Sequence, residues 1–267
     1  MQTREANVAE PLAQRLIAYV AGASSRVLGM RWGEDANVGR RAALGVKRGI
    51  DLLGAGVGLV VLSPVLATVA IGLAVTQGRP VFFRHVRPGF RAIPFTMLKF
   101  RTMRPPRADE VWYGTDEQRV TWIGRLLRAT SFDELPELLN VLRGDMSLVG
   151  PRPLLMEYLS QYTPAEQRRH DMPPGITGWA AVNGRHELKF KERLEQDVWY
   201  VDHWNLWLDL RILALTVIQV LRHEGVSTVQ DVKEIGFPLP AGAPAGAAHS
   251  SGGGAREASA SRQVGSR

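Results

Sequence analysis

The chain has 267 residues, 45% of them hydrophobic, enough for one large domain or two small ones around a real core. A formal net charge of +7 and an isoelectric point near 10.1 point to anionic partners, whether nucleic acid, acidic lipid or phosphorylated substrates. There is no cysteine, which excludes disulfides, cysteine-ligated zinc and thiol catalysis.

Residues 1–45 begin polar, and no basic region leads into an apolar core with a cleavage site, so no signal peptide is expected. Leu12, Leu16, Ile17, Val20, Val27 and Leu28 keep a helical spacing that Gly22–Ser25 interrupts. This polar to amphipathic extension is compatible with a surface-lying helix and equally with disorder. From Leu52 to Gly78 no side chain is charged. In a helix, about 25 such residues reach roughly 37 Å, enough to cross the hydrocarbon of a bilayer. Ser63-Pro64 lies near the middle, where proline removes a hydrogen bond and kinks the helix. Arg40, Arg41, Lys47 and Arg48 precede the run, and Arg79, Arg84, Arg87 and Arg91 follow it. Positive flanks favour the cytoplasmic side, so both ends belong there. The expectation over residues 46–78 is a re-entrant helix-break-helix, its freed backbone groups met by Ser63 or by packing. A spanning helix and a buried core helix are the alternatives. Gly54-Ala55-Gly56-Val57-Gly58 lacks the spacing of a dinucleotide loop and suits close helix packing instead.

Residues 79–235 read as a globular domain. Val81–Phe83 and Pro94–Leu98 read as short strands around a turn at Arg87-Pro88-Gly89, with Lys99 and Arg101 closing the second. Residues 104–118 read as a loop. Arg119–Arg128 reads as a helix with Arg119, Arg125 and Arg128 on a basic face. Next come two adjacent carboxylates, Asp133 and Glu134, where an apolar helical pattern begins. Ser131 with Glu134 fits a capping box, and Asp133 could itself be the N-cap. Either way Asp133 stands near the positive end of a helix dipole, which keeps a carboxylate ionised, as a nucleophile or metal ligand requires. The bland alternative is a capped helix with surface acids. A helix is expected from Pro136 to Arg143, then a turn, a short strand, and Arg152 held between Pro151 and Pro153. That stiffness lowers the entropy lost when an arginine grips a phosphate. A further helix is expected from Leu154. His170 is a candidate catalytic group, although a lone histidine is more often structural. Glycines between Pro173 and Arg185, around a short strand, would let backbone N–H groups approach a ligand. Helical sequence resumes at Phe190, where Glu192, Glu195 and Asp197 are exposed or functional. Trp199, Tyr200, Trp204 and Trp207 precede an apolar helix, Leu206–Leu221, a combination that suits a membrane interface. Residues 236–267 are rich in Ala, Gly, Ser and Pro and are expected to be disordered.

These motifs together resemble the bacterial sugar transferase family, the monotopic phosphoglycosyl transferases that prime exopolysaccharide, O-antigen and glycoprotein glycan assembly. The resemblance covers about residues 46–223. It rests on Lys47-Arg48 with Asp51, Ser63-Pro64, Lys99–Met103, Ser131–Pro136, Asn140–Ser147, Val149–Pro153, Pro174–Trp179, and Asp197 with Tyr200. It implies an α+β, predominantly helical fold with a re-entrant membrane helix broken at Ser63-Pro64 and interfacial amphipathic helices. It implies Asp133 as nucleophile and metal ligand, Glu134 as its dyad partner and Mg²⁺ as cofactor. Lys99 and Arg152 match conserved family positions. Arg101, Arg128 and Arg185 complete the expected phosphate-binding set. Phe132 stands where the family usually has Leu, His85 where it has Gln, Ala181 where it has Gln and His186 where it has Asn; the last two bear on sugar identity.

The implied reaction moves a sugar phosphate from a UDP-sugar to polyprenyl phosphate and releases UMP, at the cytosolic face of the bacterial inner membrane. Its partners are the two substrates and membrane lipid; a homo-oligomer is left open. A non-catalytic, membrane-anchored scaffold of polysaccharide assembly is the rival reading, which the intact Asp133-Glu134, Lys99 and Arg152 weigh against. A nucleic-acid-binding protein fits the charge but not the apolar run. A two-carboxylate glycosidase needs acids roughly 5 Å or more apart across a bond, which adjacent residues do not offer.

Overall fold

The computed structural model describes residues 38–105, 116–184 and 189–222. Expectations for residues 1–37, for Arg185 and His186 and for the tail beyond Gly236 fall outside them. Helices α1 (Val38–Val61) and α2 (Ser63–Gln77) meet at Leu62 with a bend of 61°. No single described helix is long and apolar enough to cross a membrane; this bent pair together has the length and composition. Pro64 offers no N–H to the Val60 carbonyl, and the Ser63 hydroxyl donates to that oxygen at 2.7 Å instead.

Leu44, Lys47, Asp51 and Ala55 form a buried stripe at helical spacing on α1. Lys47 Nζ donates to the Val149 carbonyl at 2.8 Å and to Asp209 Oδ2 at 2.7 Å. Arg48 donates to the carbonyls of Val141 and Leu142, and Asp51 Oδ1 accepts from Ser147 Oγ and the Leu148 N–H. Lys47 is therefore an interior tie and Arg48 a half-buried one, not the free flanking charges expected. Their partners lie far along the chain, where no local pattern reaches. A Cβ on Gly54 would stand 2.7 Å from Leu148 Cδ1, the movable end of a side chain, so packing is close there without demanding a glycine, whereas Gly56 faces open space. At the far end, Arg101 Nη2 donates to the carbonyls of Gln77 and Gly78 at 2.5 and 2.8 Å, meeting the orphan acceptors of α2. Both ends of the bent pair are thus tied to one globular body.

Strands β1 (Phe82–Pro88) and β2 (Pro94–Phe100) form an antiparallel hairpin, Phe82 opposite Phe100 and Pro88 opposite Pro94. Both run longer than expected, and the turn falls at Gly89–Ile93. The two prolines sit at the ladder's end, where no further N–H is needed. Helix α3 (Trp122–Ala129) is capped by Thr121, whose Oγ1 accepts from the Gly124 N–H. Arg119 lies outside it. It ends a single turn, Asp116–Arg119, where a loop was expected, and is buried with Nε donating to the Arg104 carbonyl.

Helix α4 (Glu137–Arg143) leads to β3 (Ser147–Val149), which pairs in parallel with β4 (Gly175–Thr177). A Cβ on Gly175 would lie 2.1 Å from Gly150 N, and one on Gly150 2.2 Å from the Pro173 carbonyl. These glycines bring two chain segments together, not a ligand to the backbone. After Pro153 the chain stays extended to Leu155 and then forms a 3-10 helix, Met156–Gln161, in place of the expected α-helix. Helices α5 (Phe190–His203) and α6 (Leu206–Arg222) complete the fold. Tyr200, Trp204, Leu208 and Ile212 pack with Leu44 and Val149 in the main core. The result is mostly helical with two small sheets, the α+β class expected.

Candidate active site

Four pieces of backbone converge: the end of β2, the 3-10 turn Phe132–Glu134, the start of α4 and the extended segment after β3. Ser131 takes a left-handed φ of 58° and its side chain caps nothing. The expected capping box does not form, and α4 begins only at Glu137, behind Pro136. The Glu134 carboxylate is engaged elsewhere. Its Oε1 accepts from Lys99 Nζ at 2.6 Å and from Arg152 Nη2 at 2.5 Å. Two charge-assisted bonds outweigh one cap N–H. Lys99 Nζ also lies 3.2 Å from Glu137 Oε1.

Glu137 was missed by the sequence reading. Three positions after Glu134, at the mouth of a helix, it could have been placed on the same side. Three carboxylates therefore share one small volume with Lys99 and Arg152, and their proton affinities separate. Burial favours a neutral Glu134, but Arg152 and Lys99 outweigh it and hold that carboxyl below the usual range. Burial, then the charge of Glu134, push Asp133 up to about 6, against Lys99, Arg128 and Arg152. Burial pushes Glu137 up to about 7. The acid held ionised is thus Glu134, by cations, and not Asp133 by a helix dipole.

Asp133 is the group left open. No hydrogen bond or ion pair joins its carboxylate to another described residue. Arg128 Nε donates to Thr102 Oγ1 at 3.0 Å, and its charge bears on Asp133 together with those of Lys99 and Arg152. Of the expected cations, Lys99, Arg128 and Arg152 therefore gather at the dyad. Arg101 does not; it ties down the end of α2. Arg152 is fixed from behind. Its carbonyl accepts from Arg169 Nη2 at 2.6 Å, and Arg169 bonds Asp197 through Nε and Nη2 at 3.1 and 2.6 Å. Asp197 is accordingly buried, not exposed. His170 is buried beside Tyr162, and burial, then Arg169, lower it to about 4, the structural role favoured from sequence.

No three His, Asp or Glu side chains among the described residues are placed to hold a metal ion together. A single unpaired carboxylate still fits Mg²⁺, which is commonly held by one or two carboxylates plus substrate phosphates. Between α2 and α3 runs an apolar groove of about 540 Å³, with Pro64, Val69, Ile123, Leu126 and Thr130 in its walls. Phe132, the neighbour of Asp133, also lines it.

An open carboxylate among cations, beside an apolar groove, suits the binding of an anionic group. The family model described as "Bacterial sugar transferase" matches residues 42–223, and the chain belongs to that family. It is 53% identical over 168 residues to the uncharacterized sugar transferase EpsL of Bacillus subtilis, covering 63% of this chain and 83% of that one. It is 40% identical over 184 residues to the UDP-glucose:undecaprenyl-phosphate glucose-1-phosphate transferase of Escherichia coli, covering 65% of this chain and 40% of that longer protein. With the exopolysaccharide production protein ExoY of Rhizobium meliloti it shares 36% identity over 196 residues, 67% of this chain and 87% of the relative.

Proposed function

We propose that the protein transfers a sugar 1-phosphate from a UDP-sugar to a polyprenyl phosphate through a covalent phosphosugar on Asp133. The names of the glucose-1-phosphate transferase relatives support the donor and acceptor classes. The observation that carries the reading is the contrast within the dyad: Glu134 is locked by two cations, and Asp133 next to it is open. In the first step an Asp133 oxygen bonds to the sugar-linked phosphorus. The bond from that phosphorus to the bridging oxygen breaks, and its electron pair leaves on UMP. In the second step an oxygen of the lipid phosphate bonds to the same phosphorus and the Asp133 oxygen departs. Lys99, Arg128 and Arg152 lower the charge that an anionic nucleophile meets at an anionic phosphate. Glu134 is a poor base while it holds Lys99 and Arg152; its part is to aim them. Mg²⁺ bound through Asp133 and the donor phosphates would supply further charge neutralisation.

The bent helix pair supports a membrane-dipping, not spanning, attachment. With Lys47 buried and Arg48 half-buried and bonded to α4, that reading rests on both ends of the pair being tied to the same body. Leu53, Val57, Val60, Val61, Ile71 and Val75 near the break are exposed, as are Trp122, Leu126, Trp207 and Val217 on α3 and α6. Such a site lies at the headgroup level of the inner membrane, on the cytosolic face, where a lipid phosphate is within reach.

The test is Asp133→Asn in nanodiscs with a panel of UDP-sugars and undecaprenyl phosphate. UMP release falls by at least about a thousandfold, as expected for loss of a covalent nucleophile, and no phosphosugar adduct appears by mass spectrometry. Near-normal turnover in Asp133→Asn would refute the assignment.

A further inference from the structure

We infer that Arg87, acting with Arg152, seats the phosphate of the departing UMP; this rests on the function proposed above. Arg87 is on β1, opposite Phe95 in the hairpin register, as Phe83 is opposite Lys99. Residues paired across an antiparallel ladder share a face, so Phe83, His85 and Arg87 lie on the Lys99 face of the hairpin. The flanking 3-10 helix supplies Glu157 and Tyr158.

Arg87 is the cation of this region that its surroundings leave uncompensated. Its Nε is buried without a partner, and no hydrogen bond or ion pair joins its guanidinium to another described residue. Lys99 and Arg152, by contrast, both bond Glu134. Burial first, then repulsion from Arg152, lower Arg87 to about 10, against weaker support from Glu157, Tyr158 and Glu137. Glu157, the nearest of these acids by influence, is exposed and makes no ion pair with it. Two guanidinia close enough to repel in a partly dry site are stabilised by an anion between them. The planar fork of arginine suits a phosphate. Two residues along the same strand face, His85 Nδ1 is also buried without a partner, a second group that awaits a ligand.

Position selects which phosphate. The charges that weigh most on Asp133 are Glu134, Lys99, Arg128 and Arg152. Those that weigh most on Arg87 begin with Arg152 and do not include Asp133. Arg152 is common to both sets, and in the hairpin register Arg87, opposite Phe95, stands about 13 Å of strand away from the Phe83–Lys99 pair. The attacked phosphate occupies the Asp133 end. The next phosphate of the donor, the one that keeps the bridging oxygen and its electron pair, reaches the Arg152–Arg87 end. The lipid acceptor has a single phosphate that needs to meet only the Asp133 end.

The test uses full-length protein in nanodiscs and UMP as the probe. Arg87→Met weakens UMP binding by calorimetry roughly ten- to a hundredfold, the range for a lost charge-assisted bond. The KM for undecaprenyl phosphate and the melting temperature stay unchanged, and Arg87→Lys recovers part of the affinity. Wild-type binding of UMP with an equal Kd in Arg87→Met overturns this inference and leaves the proposed function intact. A raised acceptor KM with normal UMP binding overturns it too, by moving Arg87 to the lipid phosphate. A lowered melting temperature with both affinities weakened alike reduces Arg87 to a structural residue. Absence of UMP binding in the wild type would overturn this inference and the proposed function together.

Discussion

Two carboxylates in this molecule, one buried and one half-buried, meet opposite fates. Asp209 on α6 is saturated: Oδ1 accepts from Tyr200 Oη at 2.7 Å, and Oδ2 accepts from Lys47 Nζ at 2.7 Å and Trp204 Nε1 at 3.1 Å. Asp133 has cations around it and no bonded partner among the described residues. Both clusters mix lysine, aspartate and aromatic neighbours, so residue type alone does not separate them. What separates them is satisfaction. A structural cluster closes every bond it can, since an orphaned buried acceptor costs about 1–3 kcal/mol. A site that must bind phosphate leaves groups open and holds them with strain between like charges.

Substitution at the saturated end has the larger effect on stability. Asp209→Asn leaves Lys47, only 2% exposed, as a buried charge without its counter-ion. Losing one partner of a buried pair costs about 3–5 kcal/mol, and the melting temperature falls by roughly 10 °C. Asp133→Asn, which on the proposed function removes turnover, leaves the melting temperature equal or higher, because it deletes a carboxylate that Glu134 repels. Thermal unfolding of both variants in one detergent checks the contrast, and a large loss in Asp133→Asn would erase it.

The open cluster should also respond to pH. Glu137 is pushed up to about 7, so its folded pKa is raised. A raised acid binds its proton more tightly when folded, and the stability this gives is present at low pH and lost as pH rises through about 7. Glu137→Gln therefore gains melting temperature over wild type at pH 8 and gains less, or none, at pH 5.5. With Asp133 as the proposed nucleophile, pushed up to about 6, kcat/KM should show an acid limb in the same region. Parallel pH curves for Glu137→Gln and wild type would show that Glu137 is not the strained member of the cluster.

Much of the site was legible because its chemistry is local. Asp133-Glu134, Arg152 between two prolines, and Ser63-Pro64 announce themselves in a few consecutive residues. The bent pair, the hairpin and the helix ending at Arg143 follow from hydrophobic period and breakers. What stayed hidden depends on partners distant in sequence. Lys47 reads as a flanking charge and Arg101 as a phosphate-binding cation until Val149, Asp209 and the end of α2 are brought to them. Glu137 reads as an ordinary first-turn acid until Lys99 arrives from β2. Gly175 and Gly178 read as a ligand cradle because a sequence does not reveal that Gly150 is the backbone they must admit.

The smallest expected effect tests where the bent pair resides. Ser63 Oγ is the donor that answers the Val60 carbonyl left by Pro64. Both residues are on the exposed side of the break, so in water a solvent molecule replaces the hydroxyl and Ser63→Ala costs almost nothing. In hydrocarbon no such replacement exists, and the orphaned carbonyl costs on the order of 1 kcal/mol or more. Ser63→Ala should therefore lower stability measurably in lipid nanodiscs and much less in a small, water-penetrated detergent micelle. Equal, near-zero losses in the two media would mean that the break lies in water, and the chain would then have to meet its lipid acceptor through the apolar surfaces of α3 and α6 instead.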